Sequence, residues 1–160
     1  MNWITDSLTF RSAISEDCPF VYEMICDMEA KALPYSAFQS IFLQQIVSTE
    51  HDFVLAESSG AVVAFIHLRY ENQLHHAGRI AEIMEFVVKD EYRNKGFGRE
   101  LLAYAEHLAG NRSCMQIEVA CNQLRRSTHR FYLREGMKNY HFKFSKILSG
   151  PVFDQNVLGR

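Results

Sequence analysis

Proline is scarce, at three residues in 160, and tryptophan occurs once. So little proline excludes a proline-rich linker or a polyproline recognition arm. Eight glycines are too few for a collagen-like or low-complexity chain. No hydrophobic run approaches the roughly 20 residues that span a bilayer, and the longest near the middle covers only Ala61 to Ile66. Neither sign of charge dominates: 17 Lys and Arg face 19 Asp and Glu, a net of -2. The basic excess of a general nucleic-acid binder is therefore missing. Neither nucleic acid nor a membrane is an expected partner. The four cysteines, Cys18, Cys26, Cys114 and Cys121, form no Cys-x-x-Cys pair. The opening Met1-Asn2-Trp3-Ile4-Thr5-Asp6 lacks a basic segment followed by an apolar one, so no secretion signal is expected. Cytoplasmic location and reduced thiols used as small core residues follow as expectations.

What is present is ordinary globular material, 48% hydrophobic and 22% charged. That length and composition suit one domain with its own core. Residues 1–148 show no linker, and Ser149-Gly150-Pro151 marks a break before a C-terminal extension, 149–160.

Periodicity supplies the elements. Thr9 to Ala13 suits a short strand. Ser15 to Pro19 reads as a helix start, because proline in a first turn forfeits no needed donor. Val21, Met24, Ile25, Met28 and Ala32 continue at helical spacing until Pro34. Ser36 suits the cap of a second helix whose stripe is Phe38, Ile41, Phe42 and Ile46. Phe53–Glu57 and Ala61–Tyr70 are β-rich and flank Ser58-Ser59-Gly60, a hairpin signal. Residues 71–79 read as a polar loop, and Ile80 to Lys89 as a further strand. Gly96 to Ala109 is helical, with Gly110-Asn111 as its stop; Met115 to Cys121 is a strand; Ser127 to Glu135 is a helix stopped by Gly136. Tyr140, Phe142 and Phe144 alternate with His141, Lys143 and Ser145, which predicts a last half-buried strand. The order β-α-α-β-β-β-α-β-α-β points to an α/β (α+β) fold with a mixed sheet between helices.

The densest chemistry runs from Glu82 to Arg99. A buried strand leads through Arg93-Asn94-Lys95-Gly96-Phe97-Gly98 straight into a helix. Glycines let a backbone approach a ligand, and the first amides of a helix have no internal partner. Such a turn is an anion site, and Lys89, Arg93, Lys95 and Arg99 add positive charge. A polyphosphate ligand follows. The Walker pattern Gly-x-x-x-x-Gly-Lys-Ser/Thr is absent. The third glycine of a dinucleotide fingerprint and its opening βαβ unit are also missing. Arg-x-x-Gly-x-Gly is matched at every fixed position. The competing account is a glycine-rich helix start with solvated charges.

The sequence as a whole resembles the GNAT superfamily of acetyl-CoA-dependent N-acetyltransferases over residues 9–148. Besides the loop, the likeness rests on Asn122 after a strand and on Phe131-Tyr132-Leu133-Arg134-Glu135-Gly136 in the next helix. A closer similarity is to the aminoalkylphosphonate N-acetyltransferases. It is carried by Val21 to Cys26, Leu74-His75-His76, Glu82 to Val88, His129 to Gly136 and His141 to Lys146.

The resemblance implies a mixed, mostly antiparallel sheet, about four helices, and a split between two central strands at a β-bulge near Met84 to Phe86. Acetyl-CoA is then the co-substrate. Its pantetheine arm would pair with the backbone of Phe86, Val87 and Val88, and its pyrophosphate would sit on the amides of Asn94 to Arg99, with Arg93 and Lys95 adding charge. Asn122 would bond the cofactor or a neighbouring helix, though an asparagine there equally suits a turn. The chemistry is direct attack of a small-molecule primary amine on the thioester, with placement supplying much of the rate. The amide of Val87 or Phe86 would stabilise the oxyanion. Glu82 or Glu85 would take the ammonium proton, and Tyr132 would protonate the leaving thiolate. Residues three apart on a regular strand face opposite ways, so the two glutamates share a cleft only if a bulge intervenes.

His75, His76, Arg69, Arg79 and Arg126 are the candidate substrate residues. Arginine matches phosphonate geometry. The histidine pair with either glutamate could hold a divalent metal, although adjacent histidines are more often solvated loop residues. Other amines, such as a polyamine or aminoglycoside, and a non-catalytic acyl-CoA sensor are the alternatives. A homodimer paired near Ser149 to Arg160 is an assembly the resemblance allows.

Overall fold

The computed structural model describes residues 8–148. The N-terminal hexapeptide and the extension at 149–160 lie outside the described residues. The chain forms two compact units, Met1–Ala120 and Cys121–Arg160.

The first unit carries one sheet of five strands in the order β1-β2-β3-β4-β5. They are β1 Thr9–Ser12, β2 His51–Ser58, β3 Ala61–Gln73, β4 Gly78–Val88 and β5 Gln116–Val119. The first three junctions are antiparallel, and β4–β5 is parallel. A two-residue turn joins β2 to β3 as the sequence predicts, with Ser59 and Gly60 both left-handed at φ 51 and 80. That twist matches flanking strands, which is why this turn type closes hairpins.

Helices α1 (Cys18–Glu29) and α2 (Tyr35–Ile46) cover one face. Val21, Met24 and Phe42 pack there on Phe53, Leu55, Phe65 and Val87. Helix α3 (Phe97–Asn111) packs on β3, β4 and β5 and buries Leu101, Leu102 and Ala105. Arg112, which caps it, pairs with Asp52 at 2.8 Å, and Tyr70 donates to the same carboxylate at 2.6 Å. Asp52 adjoins Phe53 on β2, so α3 closes the opposite face from α1 and α2.

Two boundaries differ from expectation. Residue Ser36 lies inside α2, whose cap is Pro34; proline's extended backbone makes the start without a side-chain bond. Residues 71–79 are no simple loop: β3 runs to Gln73, β4 begins at Gly78, and a single 3₁₀ turn, Leu74–His76, joins them. Backbone pairing down to Gln73 and Gly78 overrides the polar composition.

In the second unit, α4 spans Arg126–Arg134, and Gly136 at φ 87 ends the turn, donating its N–H to Leu133 O at 3.1 Å. The strand expected at Tyr140 to Phe144 does not form; those residues are irregular and their aromatic side chains exposed. Alternation supplies an amphipathic pattern, but a strand also needs a neighbour for its amides and carbonyls. Among the described residues no strand pairs with this segment.

Candidate active site

The register of β3 against β4 slips between His67 and Leu68: His67 lies opposite Glu85, and Leu68 opposite Ile83. Met84 is the extra residue. A one-residue bulge returns the next side chain to the face it would otherwise miss. Glu82, opposite Arg69, and Glu85, opposite His67, therefore lie on one face. It is the face that carries Phe53, Phe65 and Val87 further along.

The strand pair also parts here. Strand β5 matches β4 only from Ile80 to Ile83, ending at Val119. Beyond Ile83, β4 stays paired to β3 through Val88, and among the described residues no strand joins its other edge. The sheet thus opens between β4 and β5 at the bulge.

Around that opening the polar side chains form chains of contacts. Arg69 Nη2 pairs with Glu82 Oε2, and Arg69 lies 3.7 Å from Glu71. Glu85 Oε2 accepts from His67 Nδ1 at 2.6 Å, and His67 Nε2 meets His51 Nδ1 at 2.8 Å. His67 is only 3% exposed, one of two buried polar residues among those described. Its ring stacks on Phe53 with centroids 3.9 Å apart. On β5, Glu118 lies opposite Glu82 and 3.5 Å from His76 Nε2. Burial, with His67 and Arg69 adding to it, holds the His51 imidazole below its ordinary value.

At the end of β4 a 3₁₀ turn, Asp90–Tyr92, leads into the glycine loop. Asn94 and Gly96 are left-handed, at φ 59 and 88, and Gly96 caps α3. The first bond into that helix runs from Glu100 N–H to Gly96 O at 3.2 Å. The N–H groups of Phe97 and Gly98 therefore find no acceptor within the helix, as the geometry of a helix start requires. Arg93 pins the loop to its strand, Nε donating to Val88 O at 3.0 Å while the guanidinium pairs with Asp90 at 2.8 Å. Lys95 sits over the Tyr92 ring at 5.2 Å. The loop and the helix start have the shape and polarity that a pyrophosphate requires.

A cleft of about 400 Å³ between α1 and this end of β4 is bounded by Phe20, Met24, Val87, Lys89 and Arg93. Glu23, Asp27, Asp90 and Glu91 also line it, and Val87, two residues beyond Glu85, and Arg93, at the head of the loop, lie on its wall. A hollow of about 440 Å³ beside Tyr22, Cys26 and Lys31 contains no residue of β4 or of the loop.

Not every expected residue falls in this group. Arg79 is one residue from Ile80 and three from Glu82, on the other face of β4; it pairs with Glu50 at 2.6 Å and lies over the Tyr70 ring at 5.7 Å. That places it in the Asp52–Tyr70–Arg112 cluster instead of the carboxylate face. His75 stacks on His76 with centroids 4.3 Å apart at the hairpin tip. Among the described residues no group of three or more His, Cys, Asp or Glu side chains is arranged to hold a metal ion.

Tyr132, Asn122 and Arg126 belong to the second unit. Tyr132 is 8% exposed, and burial, with Cys121 adding to it, pushes its hydroxyl well above the ordinary tyrosine value. Such a phenol keeps its proton through any physiological pH. Asn122 makes a turn: its Oδ1 accepts from Leu124 N–H at 2.9 Å, and its carbonyl accepts from His129 Nε2 at 2.8 Å.

His51 and His67 escaped the sequence reading. They lie in runs that read as plain strand, and only the cross-strand register brings them to Glu85. A histidine at an inward position of an otherwise apolar strand was the available signal.

The sheet opened at a bulge and the glycine loop leading into a helix define a class of acyl-carrier-binding fold. The chain belongs to the Acetyltransferase (GNAT) family, whose model matches residues 16–137, and it is an acetyl-CoA-dependent acetyltransferase. It is 41% identical over 138 residues to the aminoalkylphosphonate N-acetyltransferase of Salmonella typhimurium, covering 86% of this chain and 90% of the relative. Among solved structures, a transcriptional regulator from Bacillus halodurans superposes with a TM-score of 0.80 at 20% identity, over 89% of this chain and 100% of that one. Glucosamine-6-phosphate N-acetyltransferase from Arabidopsis thaliana gives 0.72 at 18% identity, over 89% and 99%. At those identities the structures speak for the fold alone. No helix among the described residues is long and apolar enough to cross a membrane.

Proposed function

We propose that this acetyltransferase acts on the primary amine of a small molecule, with an aminoalkylphosphonate as the first candidate, by direct attack within a ternary complex. The observation that carries the reading is the bulge at Met84. It sets two carboxylates on one face beside the open edge of β4. That edge suits an amide-bearing arm, paired at Phe86 to Val88, and the amides from Asn94 to Arg99 suit its diphosphate. The family match runs from residue 16 to 137, which supports reading residues 1–148 as one catalytic domain.

Glu85 is the better base. Glu82 is already held in an ion pair with the Arg69 guanidinium, a cation that competes with an incoming ammonium group. Glu85 gives one oxygen to His67 and keeps Oε1 for the ammonium proton. Once neutral, the amine forms the N–C bond and the C–S bond breaks; the thiolate takes its proton from Tyr132, which burial keeps protonated, and the proton shed by the nitrogen as the amide forms restores the phenol. An amide at Val87 or Phe86 serves the oxyanion. The 41% identity to the Salmonella enzyme supports the phosphonate class of acceptor, for which Arg69 is the proposed cation in the first unit and Arg126 a separate candidate in the second. His76, 3.5 Å from Glu118, is the histidine proposed beside the acceptor, with His75 stacked on it at the hairpin tip, and Asn122 shapes the turn ahead of α4.

A second reading has a specific observation behind it. The face carries Glu82, Glu85 and Glu118, the first paired with Arg69, and an acidic cleft favours a cationic acceptor such as a polyamine. A panel of aminoalkylphosphonates, polyamines and aminoglycosides, scored by free CoA with and without added divalent metal and chelator, separates the two. Aminoalkylphosphonates should give the fastest amine-dependent release. Preference for polyamines would reverse the assignment, and no amine-dependent release at all would leave an acyl-CoA sensor.

A further inference from the structure

We propose that His67, backed by His51, is a positioning residue that aims the Glu85 carboxylate at the acceptor amine. The inference rests on the reading of Glu85 as base and extends it to two residues on neighbouring strands. Three strands contribute one residue each: His51 from β2, His67 from β3 and Glu85 from β4, joined at 2.8 and 2.6 Å.

The hydrogen bonds can be oriented in one way when Glu85 is ionised and both rings are neutral. Glu85 accepts, so His67 carries its proton on Nδ1. His67 Nε2 must then accept, so His51 carries its proton on Nδ1. His51 Nε2 is left as the nitrogen that takes up a proton in acid. The chain therefore has one direction and one fixed tautomer at each ring. The Phe53 ring, parallel to His67 within 17°, fixes the plane of the donor. Burial of His67 removes water as a rival partner. With Oε2 engaged, the carboxylate cannot rotate freely, and Oε1 is the oxygen left for the amine.

The charged groups facing the two rings are Glu85 from β4, Arg69 beside His67 on β3, and Glu50 at the start of β2. Glu82 lies one step further, through Arg69. Helix α2, which packs on β2, brings no charged side chain. Burial lowers the proton affinity of the His51 ring, in keeping with its place as the outer, neutral member of the chain.

The test is a double-mutant cycle in the full chain, measured with acetyl-CoA and the best amine of the panel. His67→Leu should lower kcat by about ten- to a hundredfold, as loss of an orienting partner commonly does. KM for acetyl-CoA should not change. The acid limb of the kcat/KM profile should move to higher pH, because a carboxylate that loses a donor holds its proton more tightly. His67→Asn, which keeps an N–H near the Nδ1 position, should recover most of the rate. In a Glu85→Gln background, His67→Leu should change the rate less than about twofold.

Equal losses from His67→Leu in both backgrounds would overturn the inference while leaving a slow Glu85→Gln enzyme, and the base itself, intact. A Glu85→Gln enzyme with wild-type rate and pH limb would instead remove the reading beneath it. Should His67→Leu fail to fold, judged by thermal unfolding, His51→Phe and His67→Asn carry the cycle. His51→Phe should shift the acid limb the same way with a smaller loss, and an unmoved limb in that variant would contradict the proposal.

Discussion

Glu82 and Glu85 differ by three positions and by what holds them. Glu82 faces a guanidinium, and Glu85 faces an imidazole. The consequence is unequal: Glu85→Gln should slow acetyl transfer by about 10²–10⁴-fold, the usual range for a lost general base, and Glu82→Gln by far less. Steady-state rates across pH check both. His51 supplies an independent titration. Its folded value lies below the unfolded one, so the unfolded chain binds more protons near pH 6, and stability must fall as pH drops through the ordinary imidazole value toward the folded one. Histidine resonances followed by NMR should place His51 below the roughly 6.5 of an unperturbed ring. A midpoint at or above that value would contradict the burial that sets it. Tyr132 moves the other way. Held protonated, it should give no alkaline loss of activity in the ordinary tyrosine range, and Tyr132→Phe should lower kcat with little change in acetyl-CoA affinity.

At the scale of elements, the loop between β4 and α3 can be tested through its backbone. Gly96 sits at φ 88 with nothing near the position of an added Cβ, so a side chain there would strain the backbone without a clash. Gly96→Val should weaken acetyl-CoA binding more than it lowers the melting temperature, measured by calorimetry and thermal unfolding. Leu101, fully buried on α3, should behave oppositely: Leu101→Ala should cost about 2–5 kcal/mol of stability with the loop's affinity spared in the molecules that remain folded. These elements were legible in the sequence because each has a local cause. Pro19 starts α1, Ser59-Gly60 turns the β2–β3 hairpin, and Gly96 caps α3. The bulge at Met84 was expected only by resemblance; no local residue announces it, since a bulge is a property of register. For the same reason the His51–His67–Glu85 chain was hidden: its members are 16 and 18 positions apart, and only pairing of three strands joins them. The alternation at Tyr140 to Phe144 misled because a pattern cannot specify a partner.

For the whole molecule, the two faces of the sheet divide the labour. On one, Arg112 ties α3 to β2 through Asp52 and Tyr70, with Arg79 and Glu50 alongside. That cluster is a staple: Tyr70→Phe should cost about 1 kcal/mol for the lost bond to Asp52 and leave kcat unchanged. On the other face, α1 and α2 cover the apolar half of the sheet and leave the glutamates beside the opening between β4 and β5. A rigid, well-packed support under a short reactive strip is what positioning catalysis requires. The account stands on acetyl-CoA lying along the open edge of β4 with its diphosphate on the start of α3. The most direct measurement is a titration of labelled protein with acetyl-CoA, followed by amide NMR. The Phe97 and Gly98 amides, together with those of β4 beyond Ile83, should show the largest shifts. Saturable binding that leaves those amides unmoved, or no binding at all, would contradict it.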